Sequence, residues 1–170
     1  MNPWSTILNR IWYYLEQGPK SGPVIEAVPA ANRYRYDTDR EPDPPISANQ
    51  PILTIDQSGG QIDVDYSPRY LHCLEDFQIT LWTGSLSLDY ANDLRLKILA
   101  AVESGLPDLG LDNVLEVSIR SGRLCPAPDK VERDADGRLM EWRRDILKNT
   151  RQRSVLLELR IRFLIDRESL

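Results

Sequence analysis

The stretch from Ser154 to Ile165, SVLLELRIRFLI, decides the fold class of this chain because every second residue in it is apolar. Successive side chains of an extended strand point to opposite faces of a sheet, so a period of two indicates a strand with one buried face. The alternating apolar residues are Val155, Leu157, Leu159, Ile161, Phe163 and Ile165. Polar residues such as Glu158 and Arg160 lie between them. The stretch therefore predicts a long, half-buried strand of an antiparallel sheet.

Further strands are predicted from shorter apolar runs and alternations along the chain. They cover residues 24–28, 51–56, 61–66, 74–82 and 114–120. The sequence Ser58-Gly59-Gly60 predicts a hairpin turn between two of these strands, since glycine and serine favour tight turns. In the predicted strand at 114–120, the side chains of Leu115, Val117 and Ile119 are expected on one face of the sheet.

Two amphipathic helices are predicted from apolar residues at three- and four-residue spacing. The first begins with an N-cap at Asn2 or Ser5, ends at Gly18, and has the apolar residues Trp4, Ile7, Leu8, Ile11, Trp12 and Leu15. The second begins with an N-cap at Asp89, ends at Gly105, and has the inner residues Ala91, Leu94, Ile98, Ala101 and Val102. The order of elements predicts an α+β fold, with a mainly antiparallel sheet and both helices packed on one face.

Length and composition predict one ordinary globular domain over residues 1–170, with 41% apolar and 28% charged residues. Two segments are expected to be irregular: a proline-rich arm or loop at 34–50, and a long loop or hairpin insertion at 126–150 around Asp136-Gly137. The net charge of −5 argues against a protein that binds nucleic acid over its whole surface. Basic residues within 143–153 leave open a contact patch for an acidic partner or a phosphate backbone.

No catalytic, metal-binding or cofactor-binding residue is predicted, and no cofactor. The chain contains none of the patterns GxxxxGK[ST], GxGxxG, GxSxG or HExxH. Its one histidine, His72, is followed by Cys73, but adjacent residues of a strand point apart and would not form a Cys–His pair. No CxxC spacing is present, so a zinc site is not supported. The count of two would allow a disulfide between Cys73 and Cys125, but nothing in the sequence suggests secretion, and two buried free thiols are expected. A small enzyme would have to use Asp63, Asp65, His72 and Glu75.

The order of these elements forms a recognisable pattern over most of the chain. Its parts are the opening helix Trp4–Leu15, the strands PILTI at 51–55 and FQITLW at 77–82, the helix 89–103, the strand VLEVSI at 114–119 and the closing strand 154–165. In this order the chain resembles the tail terminator (tail completion) proteins of long-tailed bacteriophages. The segments 34–45 and 126–150 are longer than a minimal member of that family would need.

The resemblance implies a structural virion protein without enzymatic activity. It implies a ring, expected to be hexameric, that caps the tail tube at its head-proximal end and joins the tail to the head and neck. The implied partners are further copies of the chain, the tail tube protein and the head–neck connector protein, with the sheath protein as a further option. DNA would pass through the lumen without sequence-specific binding. The implied location is the virion tail or neck, and the host cytoplasm during assembly, with no membrane contact.

Alternative functions stay open at this point. The nearest is another neck or baseplate adaptor of a phage-like particle, and the more distant ones are a small enzyme or a nucleic-acid-binding module. Subunit contacts are expected at exposed edge strands and arms, which can accept a strand from a neighbour, and at tryptophans, which are enriched in interfaces. The candidate subunit-interface residues are Tyr34, Tyr36, Trp82, Arg138, Trp142, Arg143 and Arg144.

Overall fold

A computed structural model of the chain describes residues 2–18, 22–35, 51–64, 66–85, 87–125 and 154–169. The helices are α1 (Pro3–Gln17), α2 (Gly22–Ala27) and α3 (Leu88–Glu103). The strands are β1 (Arg33–Arg35), β2 (Ile52–Asp63), β3 (Tyr70–Trp82), β4 (Val114–Cys125) and β5 (Ser154–Asp166). Short 3₁₀ turns occupy Ala30–Asn32 and Arg167–Ser169. None of the helices described is long and apolar enough to cross a membrane.

The strands form one sheet in the order β1-β2-β3-β5-β4. Only β1 and β2 are parallel, and the three other pairs are antiparallel. The α+β fold with a mainly antiparallel sheet is therefore confirmed. The closing strand β5 lies inside the sheet, and its six alternating apolar residues are all buried, as predicted.

Both long helices pack on the same face of the sheet. The apolar stripe of α3 is buried as predicted, and so is that of α1 except for Trp4, which is only partly buried. The rings of Trp4 and of Phe163 in β5 pack perpendicular to each other, with 5.9 Å between the ring centroids. Arg95 of α3 donates a hydrogen bond to the carbonyl oxygen of Gly122 in β4. We call the side of the sheet on which α1 and α3 pack the helix face, and the opposite side the outer face.

The predicted strand at 24–28 is wrong, because this segment belongs largely to helix α2. Val24 and Val28 are both buried, and the amide of Val28 donates to the carbonyl oxygen of Val24 at 3.1 Å. Residues four apart lie on one side of a helix, so the same apolar residues fit a helical turn. A run this short cannot be assigned to helix or strand by its periodicity.

The predicted hairpin turn at Ser58-Gly59-Gly60 is also wrong. Strand β2 continues through these residues, and its register with β3 shifts between Gln57 and Gly59. The extra residue forms a β-bulge, a feature that glycine in a strand often marks. The chain reverses after Asp63 instead, where the hydroxyl of Ser67 accepts hydrogen bonds from the amides of Arg69 and Tyr70.

A second bulge corrects the predicted facing of residues in β4. The register with β5 shifts between Val114 and Glu116, which leaves Leu115 between two paired positions. Val114 and Val117 are buried, whereas Leu115 is 48% exposed. The bulge therefore changes the phase of the alternation, and Leu115 does not share the buried side of Val117.

The N-terminus of α3 lies earlier than predicted. The N-cap is Ser87, whose hydroxyl accepts a hydrogen bond from the amide of Tyr90 at 3.3 Å, and Asp89 lies in the first turn. For α1, Asn2 is the N-cap, and its side-chain oxygen accepts from the amide of Trp4 at 3.0 Å.

Replacing Ser87 by alanine is expected to lower the free energy of unfolding by about 1 kcal/mol, because a helix-terminal amide loses its partner. Asp89→Ala should cost about 0.5 kcal/mol, since Asp89 only interacts with the helix dipole. Urea unfolding followed by tryptophan fluorescence measures both. A larger loss for Asp89→Ala would contradict the assignment of the cap.

Candidate assembly surfaces

The outer half of β2 is the most exposed strand segment that the structure describes. Strand β1 pairs with β2 only at Leu53–Ile55. Residues 52–55 are buried, whereas every residue of 56–63 is exposed. In the described ranges no strand lies beside 56–63 on the side away from β3. We call residues 56–63 the β2 edge, and edges of this kind can accept a strand from another chain.

Apolar side chains stand exposed where the β2 edge ends. They are Ile62, Val64 and Tyr66, which we call the apolar tip. The ring of Tyr66 lies against the imidazole of His72 at 4.9 Å between centroids. The backbone here is tied to the end of β5, since Arg167 donates to the carbonyl oxygen of Val64. The tip therefore presents apolar surface on an anchored loop.

Strand β4 forms the opposite edge of the sheet in the described part of the chain. It exposes Leu115 at its first bulge, and Arg120 and Arg123 further along. Nearby helix α3, which packs on β4 and β5, exposes Leu88 and Leu96. This edge thus combines apolar and basic side chains.

Ion pairs cross the strands on the outer face. Arg160 donates two hydrogen bonds to the carboxylate of Asp76, at 2.7 and 2.8 Å. Two further pairs are Arg123 with Glu158 at 2.9 Å and Arg162 with Glu116 at 3.2 Å. Each arginine here has a carboxylate beside it, so these pairs do not create the one-signed field that phosphate binding requires.

The Asp76–Arg160 pair predicts a specific pH dependence. The hydrogen bonds from Arg160 lower the pKa of Asp76; burial opposes this effect, and the charges of Arg160 and Arg120 add to it. A carboxyl whose folded pKa lies below its unfolded value of about 3.9 stabilises the fold above that pH. This contribution is lost as the pH falls through the folded pKa.

The variant Asp76→Asn should therefore be less stable than wild type near neutral pH and lose less stability on acidification below pH ~4. Urea unfolding over a pH series measures both effects. Glu116→Gln, which removes a more exposed ion pair, serves as the control and should change the unfolding midpoint less. The prediction would be contradicted if the free energy of unfolding of wild type and of Asp76→Asn fell by the same amount as the pH is lowered.

Glu75 is a buried carboxylate on the helix face that sequence reasoning did not single out as buried. Its side chain is 3% exposed. The indole nitrogen of Trp4 donates to Oε1 at 2.8 Å, and the side-chain amide Nε2 of Gln57 donates to Oε2 at 2.7 Å. Glu75 thereby ties the start of α1 to strands β2 and β3. Burial, together with the charge of Glu75, raises the pKa of the Cys73 thiol.

Of the residues of the small-enzyme alternative, Asp63 and His72 lie on facing positions of β2 and β3, and Glu75 is separated from His72. His72 lies on the outer face against Tyr66, whereas Glu75 and Cys73 are buried on the helix face. The prediction that His72 and Cys73 point apart is confirmed, and Cys73 is a free thiol. Asp63 is opposite His72 in the register, while Asp65 and the side chain of Cys125 lie outside the described residues. The described part of the chain holds no group of three acidic, histidine or cysteine residues suited to a metal ion.

Two of the seven predicted interface residues fall within the described structure. Tyr34 lies in the edge strand β1, opposite Thr54, and Trp82 ends β3, opposite Ile52. Both are half-buried and lie on the outer face, because Thr54 and Ile52 alternate with the buried helix-face residue Leu53. Their contact with other subunits stays a prediction. The remaining candidates, Tyr36, Arg138, Trp142, Arg143 and Arg144, lie outside the described residues.

Compared with protein-family models and with curated proteins, the chain matches none.

Proposed function

We propose that this chain is a structural assembly subunit of a phage tail, acting as a tail terminator. In this role it forms a ring that caps the tail tube at its head-proximal end and joins it to the neck. The observation that carries the proposal is the exposed β2 edge with its apolar tip. Such a surface gives an assembling subunit both backbone hydrogen-bonding groups and apolar area for a neighbour.

Within the described residues the sheet has two different edges, and this favours a ring over a symmetric pair. A ring needs head-to-tail contacts, in which one surface of a subunit binds a different surface of the next. The β2 edge and the β4 edge are such unlike surfaces at opposite ends of one sheet. The order α1, β2, β3, α3, β4, β5 also follows the pattern in which the chain resembles tail terminators.

The separation of His72 from Glu75 favours assembly over catalysis. A catalytic site needs convergent polar groups in one pocket. The buried carboxylate of Glu75 instead has its two described donors from Trp4 and Gln57, both within the fold. Its role is therefore assigned to the packing of α1 on the sheet.

Locating the chain in a tail-bearing particle tests the proposal. Antibody labelling and cryo-electron microscopy of particles of the phage that encodes it should place the chain in a ring between tube and neck. Loss of the gene should give free heads and tubes of uncontrolled length. A position at the baseplate or elsewhere in the neck would favour the adaptor alternative. Absence from every tail-bearing particle would reject both.

A further inference from the structure

We propose that the contact between His72 and Tyr66 is pH-responsive, so that the order of the apolar tip changes between pH 5 and 8. The charged imidazole holds the ring of Tyr66 against the outer face, and the neutral imidazole holds it less firmly. The inference goes beyond the proposed function, because it concerns the tip of a single molecule and needs no partner.

The one histidine of the chain lies against the apolar tip. Histidine is the side-chain type whose charge ordinarily changes between pH 5 and 8. His72 is the only histidine among the 170 residues. It is half-buried in β3, and the ring of Tyr66, which is 51% exposed, lies against it. A change of charge in this pH range is therefore expected at the apolar tip.

The geometry of the two rings makes their contact sensitive to this charge. Their centroids are 4.9 Å apart and their planes are inclined by 33°, so the rings stack with a tilt rather than meeting edge to face. A cation within about 6 Å of the centroid of a tyrosine ring is attracted to the face of that ring. A neutral imidazole keeps only the contact between two stacked rings. Protonation of His72 therefore strengthens its contact with Tyr66.

The elements beside His72 also contribute charged groups. Across the ladders lie Asp63 of β2, which is itself engaged in an interaction, and the uncharged Leu164 of β5. Asp65 of the tip loop lies outside the described residues. Carboxylates and guanidinium groups ordinarily keep their charges between pH 5 and 8, so the charge of His72 is the one that changes beside Tyr66. The other charged groups of the neighbouring strands and turns are paired: Arg162 with Glu116, Arg69 with Asp166, and Arg167 with the carbonyl oxygen of Val64.

The backbone on either side of Tyr66 is anchored by contacts that do not involve His72. Arg167 donates to the carbonyl oxygen of Val64 on one side, and the hydroxyl of Ser67 accepts two backbone hydrogen bonds on the other. The side chain of Tyr66 is thus the part of the tip that responds. Its release on deprotonation of His72 changes the shape of the apolar surface while the turn stays in place.

NMR of the full-length chain over a series from pH 5 to 8.5 tests the inference. The imidazole gives one set of signals, since the chain has one histidine, and these signals report its charge. The ring signals of Tyr66, identified by their loss in Tyr66→Leu, report its contact through chemical shifts and through nuclear Overhauser effects to the imidazole. We expect the ratio of held to released Tyr66 to rise about two- to fivefold from pH 8.5 to pH 5, in step with the imidazole signals.

Two variants and one internal control separate this response from general effects of acid. His72→Gln has no charge to gain, so Tyr66 should be equally mobile at both ends of the series. His72→Arg carries a permanent planar cation, which stacks on aromatic faces, and should hold Tyr66 at every pH. The guanidinium of Arg69 lies over the ring of Tyr70 at 5.1 Å, and this contact should stay constant because the arginine keeps its charge. If either variant fails to fold, the wild-type series and Tyr70 still decide the matter.

Three results would overturn the inference. The first is a contact between Tyr66 and His72 that stays constant over the whole series. The second is a response of the same size in His72→Gln, which would assign the response to another group. The third is a ring that is released when the imidazole gains its proton, the opposite of the expected sign. None of these results bears on the place of the chain in a tail, which the labelling of particles decides separately.

Discussion

Replacing Phe163 by alanine is expected to lower the free energy of unfolding by about 3–5 kcal/mol, the largest effect that we predict for a single substitution. Phe163 is fully buried near the end of β5 on the helix face. Its ring packs perpendicular to the ring of Trp4 in α1, and its register neighbours are Cys73 and Val114. Truncation would remove buried surface and leave a cavity between helix and sheet. Urea unfolding measures the loss.

The control for this prediction is Leu96→Ala. Leu96 is 66% exposed on α3, so its truncation should change the free energy of unfolding by no more than about 0.5 kcal/mol. Phe163→Leu should fall between the two because it keeps most of the apolar volume. A cost below about 1 kcal/mol for Phe163→Ala would mean that this side chain is not packed between α1 and the sheet.

Gly60→Ala is expected to cost about 2–4 kcal/mol, the second largest effect. Gly60 is opposite Glu75 in the register, and an added Cβ would lie 1.9 Å from Oε2 of Glu75. The carboxylate would have to move away from Trp4 and Gln57, which now donate to it. Hydrogen bonds to a charged group contribute about 1.5–3 kcal/mol each, and a displaced buried carboxylate loses them.

Gly59→Ala gives a matched control one residue away, because a Cβ there meets nothing within 4 Å. It should leave stability unchanged or raise it by about 0.4–1 kcal/mol through the unfolded state. The conflict at Gly60 depends on Glu75, so Gly60→Ala should cost little in an E75A background. An equal cost of Gly60→Ala in both backgrounds would show that Glu75 is not the cause.

The sequence predicted those elements whose pattern is long and uninterrupted. The alternation in β5 and the stripes of α1 and α3 extend over many residues, so a single period fits each of them. Leu94 and Ile98 of α3 are buried as expected, and so are Val155 and Phe163 of β5. In these elements the local period and the burial against the core agree, and tertiary contacts do not override the local preference.

The predictions from sequence were wrong where a local pattern fits two different structures. Glycines at 59 and 60 suit a turn as well as a bulge, and only the pairing of Gly60 with Glu75 in β3 decides between them. The run around Val24 was too short to distinguish helix from strand. Leu115 follows the alternation of β4, but a bulge facing β5 turns it outward. Each of these outcomes depends on a partner distant in sequence.

The candidate surfaces were predicted only in outline. Edge strands were expected to carry the contacts, and Tyr34 does lie in one. The β2 edge was missed because the predicted turn at Ser58 divided that strand in two. Burial of Glu75 was missed because its donors, Trp4 and Gln57, are far away along the chain, although the small residue Gly60 opposite was a usable signal.

The central position of β5 has a consequence for the order of events in folding. Strand β5 separates β3 from β4 in the sheet, yet it is the last of the described strands to be synthesised. Tyr70 pairs with Asp166, so the central ladder joins residues that are far apart in sequence, and such non-local topologies form slowly. While residues 154–166 are still inside the ribosome, β5 is not available to pair with β3 and β4, and these two strands are not neighbours in the sheet. The sheet therefore has to close after translation of this strand, and until then the nascent chain exposes apolar surface that a chaperone could bind.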